Sequence, residues 1–270
     1  MDRPSATIIH GSAADMACIG SGEAALVITS PPYFPPGMER AFHASRRSQR
    51  DPESAWQMLE AFAKTLLPAF REMARVVGKT GLCCIETKDV VFGEFRLPLA
   101  AQHAALARQA GLWVRSSLQF RSTGIKPSHL PRFVRTPAPG TFRTLDASTL
   151  LLCSAPSWRP RKIDAAVVGR QEALELVTPY WRLTPARSGR IHEHQTPPEL
   201  VRRLVSLLTV PNDLVADPFA GSGQVLRIAR DLGRRSLGYE RDQRRYERAA
   251  AALLGIRSRG FRAADRKVSG

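Results

Sequence analysis

The chain has 270 residues and a hydrophobic content of 43%, enough for one α/β domain with an insertion and too apolar for a disordered chain. No apolar run approaches the length of a membrane span, and the start Met1-Asp2-Arg3-Pro4-Ser5 lacks a signal-peptide layout, so a soluble protein is expected, cytoplasmic in a bacterium or nuclear in a eukaryote. The net charge of +16 points to an anionic partner, nucleic acid foremost, because Lys and Arg gain affinity by displacing counterions from phosphates.

In chain order, Ala6 to His10 reads as a first strand, followed by a turn at Gly11 and Ser12. Leu26-Val27-Ile28-Thr29 is a short continuous apolar run of the kind buried in parallel sheets. It is halted by Pro31-Pro32, which lack ladder donors and fix φ, with the Ser30 hydroxyl and the Tyr33 ring at the break. The loop from Phe34 to Asp51 carries His43, Arg46, Arg47 and Arg50 and little to bury; it reads equally as a solvated surface loop and as one that orders on a ligand. From Pro52 to Val77 a helical face recurs at Trp56, Leu59, Phe62, Leu66, Phe70 and Met73, with a kink expected at Pro68.

Strand Leu82 to Glu86 follows, then Thr87-Lys88-Asp89, where Asp89 reads as a surface turn residue. A helix from Leu97 to Ala110 leads through Gly111 to strand Trp113 to Phe120. Periodicity then vanishes between Arg121 and Arg143, returns in a strand at Leu150 to Cys153, and vanishes again from Trp158 to Arg182. Basic residues far outnumber acidic ones in these irregular stretches. Thr196 is placed as the N-cap of a helix opened by Pro197 and Pro198 and carrying Leu200, Leu204 and Leu207.

Strand Asp213 to Asp217 then runs into Pro218-Phe219-Ala220-Gly221-Ser222-Gly223, where glycines let a ligand approach the backbone and the helix from Gln224 presents its N-terminal amides. A nicotinamide-type fingerprint would need a third glycine at position 226, which is Leu. Strand Arg235 to Glu240 ends in a carboxylate, placed as in dinucleotide folds to accept hydrogen bonds from ribose hydroxyls. A helix from Gln243 to Leu254 and a basic tail, Arg257 to Lys267, complete the chain. Cys18, Cys83, Cys84 and Cys153 have no zinc-ligand spacing, and His192 and His194 have no further ligand at the right distance, so no metal is expected. Cys83, Cys84 and Cys153 read as buried strand positions.

Together, Thr29-Ser30-Pro31-Pro32-Tyr33 and Asp217 to Gly223 resemble the motifs of the amino-group DNA methyltransferases that use S-adenosylmethionine (AdoMet). The catalytic motif precedes the cofactor motif, as in the permuted class called β, and Thr-Ser-Pro-Pro-Tyr is the form typical of cytosine-N4 enzymes. The resemblance covers nearly the whole chain apart from about 121 to 190. It implies a Rossmann-like, circularly permuted fold: a seven-stranded, mostly parallel sheet with helices on both faces, the cofactor strand central and the Ser-Pro-Pro-Tyr strand beside it.

Carried onto this chain, it implies catalytic residues Ser30, Pro31, Pro32 and Tyr33, and a cofactor site of Thr29, His194, Thr196, Asp217, Phe219, Ala220, Gly221, Ser222, Gly223 and Glu240. Residues 1–120 would be the catalytic part, 121–190 a target-recognition insertion with a sheet strand near 148–154, 191–256 the cofactor-binding part and 257–270 a basic tail. DNA would be held by Arg121, Lys126, Arg132, Arg135, Arg143, Arg159, Arg161 and Lys162. In the family an acidic residue commonly meets the cofactor's adenine where this chain has Ser12; Asp15, read as an exposed helix residue, is a weak substitute. The target base would be flipped into the site, its amino group held by Ser30 Oγ and the Pro31 carbonyl while Tyr33 stacks on the ring. No Pro-Cys dipeptide occurs, which argues against the covalent chemistry of carbon-5 cytosine methylation. Adenine-N6 methylation, RNA methylation and catalytically silent DNA binding stay open as alternatives, and a homodimer or a restriction endonuclease partner is compatible with the resemblance.

Overall fold

The computed structural model describes residues 4–35, 51–92, 95–121, 147–160, 178, 180–183 and 196–255. The basic loop at 36–50, most of the irregular stretches and the tail lie outside the described residues.

Eight strands form one sheet in the order β1 (Ala6–His10), β10 (Arg235–Glu240), β9 (Leu214–Asp217), β2 (Ala24–Thr29), β3 (Leu82–Thr87), β7 (Ser148–Ser154), β6 (Trp113–Arg121), β8 (Tyr180–Arg182). From β1 to β3 the neighbours are parallel; β7 runs against both β3 and β6, and β8 is parallel to β6. The mostly parallel sheet is therefore as expected, with one strand more than the seven anticipated. The extra strand, β8, is three residues long and gives no periodic signal; it is held by Trp181, which is buried and has the Arg203 guanidinium 5.4 Å from its ring centre. A separate hairpin joins β4 (Val90–Phe92) to β5 (Phe95–Leu97), just past the turn read at Asp89.

Helices cover both faces. On one, α1 (Pro52–Thr65), α2 (Leu67–Val77) and α3 (Leu99–Gln109) contribute Ala63, Phe70, Met73, Val76, Leu106 and Ala107, packed with Val27, Cys83, Ile85 and Cys153 of the sheet. On the other, α4 (Pro198–Leu208) and α5 (Gln224–Asp231) bring Leu200, Leu204, Val225 and Ile228 against Leu26, Ile28, Cys84 and Val215. Every residue of β2 and β3 is buried, which is why both read as unbroken apolar runs rather than alternating ones. The last helix, α6 (Gln243–Leu253), contacts β1 and β10 and is capped by Asp242, whose side chain accepts from Arg245 N at 2.8 Å.

The stretch Pro52 to Val77 is two helices, not one kinked helix. Leu66 caps the first and starts the second, because Pro68 has no N–H to continue the ladder and is tolerated only in a first turn. Among the described residues no helix is long and apolar enough to cross a membrane.

Candidate functional site

Side-by-side packing of β9 and β2 brings the two conspicuous stretches of the sequence together. Thr29, the last residue of β2, donates from Oγ1 to Asp217 Oδ1 at 2.8 Å across 188 residues of chain, and both groups are buried. The same Oδ1 accepts from Phe219 N at 3.1 Å, which turns the chain sharply after β9. Burial pushes the Asp217 carboxyl up to about 7; the two hydrogen bonds oppose that rise, and the Glu240 and Glu86 charges add to it.

The turn after β9 is shaped by glycine. Gly221 and Gly223 have φ of 52° and 69°, left-handed values that L side chains resist. A side chain at Gly221 would meet only Phe219 O, at 3.8 Å, so the space over this residue is open. Gly221 N donates to Glu240 Oε2 at 2.9 Å, and Asp242 N donates to Glu240 Oε1 at 2.8 Å. Both carboxylate oxygens of Glu240 are thus fixed by backbone and keep further acceptor capacity at the carboxyl end of β10. Gly238 of β10 packs so tightly under this turn that a Cβ there would come within 2.9 Å of Asp217 O and of Ala220 Cβ. Ala220 is buried, Phe219 and Gly221 are half-buried, and Ser222 is exposed.

On the β2 side Ser30 is half-buried, Pro31 buried, Pro32 exposed and Tyr33 half-buried. Tyr33 is hydrogen-bonded to the Ser30 side chain and to the Lys88 backbone, and burial, followed by the charge of Glu86, raises its phenol above the usual range. Its ring lies 6.3 Å from that of His103, a buried histidine whose Nδ1 is 2.9 Å from Thr87 Oγ1 and whose burial lowers its pKa to about 4, keeping it neutral. His103 thus backs Tyr33 as packing rather than as a charge.

Glu86 is the site residue that the sequence reading passed over. Thr29 pairs with Ile85 in register, so Ser30 and Glu86 are next along adjacent strands. Glu86 is buried and its carboxyl is pushed up to about 7, first by burial, against which a hydrogen bond from the Thr196 side chain and the Lys88 charge act. Its Oε2 has no hydrogen-bond partner among the described residues. The signal was present: Cys84-Ile85-Glu86 ends an apolar strand in a carboxylate, as Val215-Ala216-Asp217 does.

Thr196 is not the N-cap of α4. Pro197 occupies that position with no side-chain cap bond, and the Thr196 hydroxyl turns to Glu86 while its carbonyl accepts from Gln224 Nε2. A buried carboxylate is a stronger acceptor than the helix amides are partners, and that contact prevails. Asp15 is exposed in a turn rather than a helix, and Ser12 Oγ accepts from Ala14 N at 3.2 Å. Asp89 accepts from Ala100 N at 3.3 Å at the start of α3. Among the described residues no group of His, Cys, Asp or Glu is arranged to hold a metal.

Of the expected DNA contacts, Arg159 is exposed, with its backbone N–H donated to Lys79 O at 3.0 Å, and Arg121 ends β6. Lys126, Arg132, Arg135, Arg143, Arg161 and Lys162 lie outside the described residues, as does His194.

The DNA methylase family model (N6_N4_Mtase) matches residues 24–251. The type II methyltransferase M.MjaI of Methanocaldococcus jannaschii is 26% identical over 268 residues, 87% of either chain. Among solved structures, the DNA modification methylase TTHA0409 of Thermus thermophilus, complexed with S-adenosyl-L-methionine, superposes with a TM-score of 0.70 at 23% identity, over 93% of this chain and 94% of that one. The cytosine-N4-specific PvuII DNA methyltransferase gives a TM-score of 0.67 at 16% identity, over 94% and 92%. The chain shares the fold of these proteins.

Proposed function

The chain belongs to the DNA methylase family, and on that premise we propose that it transfers a methyl group from AdoMet to the exocyclic N4 of a cytosine flipped out of DNA. The observation that carries this reading is the Thr29 to Asp217 hydrogen bond, which ties the end of the Ser-Pro-Pro-Tyr strand to the start of the glycine turn. Substrate amine and methyl donor then share one crevice at the carboxyl edge of a parallel sheet, the edge where such sheets bind ligands.

The residues on the cofactor side fit AdoMet. Asp217 and Glu240 place two carboxylates on the cofactor side of the crevice, a field that suits a cationic sulfonium, and Glu240 keeps acceptors for ribose hydroxyls. Bound there, AdoMet supplies an electrophilic methyl group. Phe219, Ala220, Gly221, Ser222 and Gly223 would line its path, with Thr196 closing from the α4 side.

On the substrate side, Ser30 Oγ and the Pro31 carbonyl accept hydrogen bonds from the amino group and direct its lone pair at the methyl. Flipping a base into the crevice costs a few kcal/mol, and Tyr33 offers the ring on which it stacks. Cytosine is favoured over adenine by the Thr-Ser-Pro-Pro-Tyr form of the motif. The basic stretch 121–190 would act as the target-recognition region, with its arginines and lysines on phosphates.

The test is chemical identification of the product. Unmethylated genomic DNA incubated with the protein and methyl-labelled AdoMet, then digested to nucleosides, should yield labelled N4-methylcytosine. Label in N6-methyladenine would replace the target base, and label found only when RNA is supplied would replace the substrate.

A further inference from the structure

We propose that Glu86 is a catalytic residue, the base that takes the proton released when the target amine is methylated. The assignment rests on the function just proposed and adds a role that the two recognised motifs do not fill.

Along β2 and β3 the side chains alternate in step: Val27, Cys83 and Ile85 face the α2 side, while Leu26, Ile28, Leu82 and Cys84 face the α4 side. Ser30 and Glu86 continue the second set at the carboxyl ends of adjacent strands, and Leu150, opposite Glu86 on β7, belongs to that set too. The Glu86 carboxylate is therefore beside the residue that holds the amine. Its charge is felt by Tyr33 on the β2 side and by Asp217 on the cofactor side, which places it between the two halves of the site.

The carboxylate also has an unmet valence. One oxygen is engaged by Thr196, while Oε2 is buried with no hydrogen-bond partner among the described residues. A buried carboxylate oxygen without a donor is destabilising, so its persistence calls for a functional explanation. A donor N–H on a flipped base would meet it.

The chemistry needs such a group. When the amine lone pair forms the new N–C bond, the carbon–sulfur bond breaks with its electron pair left on sulfur, and nitrogen gains a positive charge. Ser30 and the Pro31 carbonyl can accept hydrogen bonds from that nitrogen but cannot take up its proton near neutral pH. Glu86 can: the N–H bond breaks toward Oε2, the carboxylate becomes a neutral acid, and the proton later passes to solvent. A carboxyl pushed up to about 7 is well matched to this task, since a general base works best with a pKa near the working pH. The groups facing it are the Tyr33 phenol from the loop after β2, the Lys88 ammonium just past β3, the Asp217 carboxylate at the end of β9 and the neutral Thr196 hydroxyl ahead of α4. Lys88 favours the ionised base, while the Glu86 charge in turn opposes ionisation of Asp217.

Glu86→Gln tests the role, because it keeps the shape and the contact to Thr196 but cannot take a proton. Wild type should show single-turnover transfer to DNA that rises with pH between about 5.5 and 8, as the raised carboxyl loses its proton. In the Gln variant transfer at pH 8 should fall by about a hundred-fold or more, with its acidic limb gone and AdoMet affinity within about three-fold of wild type. Glu86→Asp should retain the limb at reduced rate. Without cofactor, urea unfolding should show wild-type stability declining from pH 5.5 to 8 and the Gln variant declining less, a readout independent of turnover. Gln-variant transfer at the wild-type rate with the acidic limb intact would overturn the role. So would a loss of AdoMet affinity with normal transfer at saturating AdoMet, which would make Glu86 a cofactor ligand. Absence of transfer by the wild-type protein to any DNA would instead overturn the proposed function.

Discussion

Thr29→Val removes the hydrogen bond that joins the two halves of the site while nearly conserving volume. Thr29 is 1% exposed and Asp217 4%, so no solvent replaces the lost donor. Among the described residues, Asp217 Oδ1 would keep only Phe219 N, at 3.1 Å. A hydrogen bond to an ionised group contributes about 1.5–3 kcal/mol and one to a neutral group about 0.5–1.5 kcal/mol. Because Asp217 titrates near 7, the cost of the substitution should itself depend on pH. Asp217 has a folded pKa above its unfolded value, so its contribution is complete at low pH and is lost as pH rises through 7. Removing a bond that favours the ionised form pushes the pKa higher still, by about one unit for each 1.4 kcal/mol by which the bond favours the ionised over the protonated carboxyl. Urea unfolding without cofactor should therefore show the variant about 1 kcal/mol less stable than wild type at pH 5.5 and about 2–3 kcal/mol less stable at pH 8. An equal cost at both pH values, or a cost under about 0.5 kcal/mol at pH 8, would refute the claim that this bond holds the ionised Asp217 in place.

Gly238→Ala should destabilise the fold by about 1–3 kcal/mol, since its Cβ meets Asp217 O and Ala220 Cβ at 2.9 Å and must displace the turn after β9. Calorimetry should find AdoMet affinity reduced in the same variant; unchanged affinity and stability would mean that this packing does not position the turn. Ser30→Ala should leave AdoMet affinity intact and slow transfer about ten- to a hundred-fold, the loss of one oriented acceptor, measured by single-turnover labelling. DNA affinity should fall steeply with salt, as fluorescence anisotropy at several ionic strengths would register, and charge reversal at Arg132 and Arg135 should weaken it without altering AdoMet binding.

Much of the fold was legible because buried parallel strands write themselves as apolar runs with punctuated ends. Leu26 to Thr29, Leu82 to Glu86 and Leu214 to Asp217 were all readable in this way, and each ends near a polar group at the carboxyl edge. The adjacency of β2 and β9 was accessible only through the resemblance, since nothing local in either stretch encodes a partner at the other end of the chain. What escaped was short or set by tertiary contact. β8 has three residues and depends on Trp181 finding the sheet. Thr196 looked like a helix cap because Thr before two prolines favours one, yet a buried carboxylate competes for its hydroxyl. Glu86 escaped because a carboxylate inside an apolar strand looks like a strand end, while Asp89 just beyond it stood out as a turn residue; the fold uses Asp89 to anchor the start of α3.

A flipped amine meets the methyl donor between the ends of β2, β3 and β9: this central claim is tested most directly by the crystal structure of the protein with target DNA and an unreactive AdoMet analogue. The expected result is an extruded cytosine with its N4 within about 3.2 Å of both Ser30 Oγ and Glu86 Oε2, and the analogue's sulfonium mimic beside Asp217. A cytosine extruded into the crevice with its amino edge turned away from Ser30, or one left stacked in the duplex with the analogue bound, would contradict it.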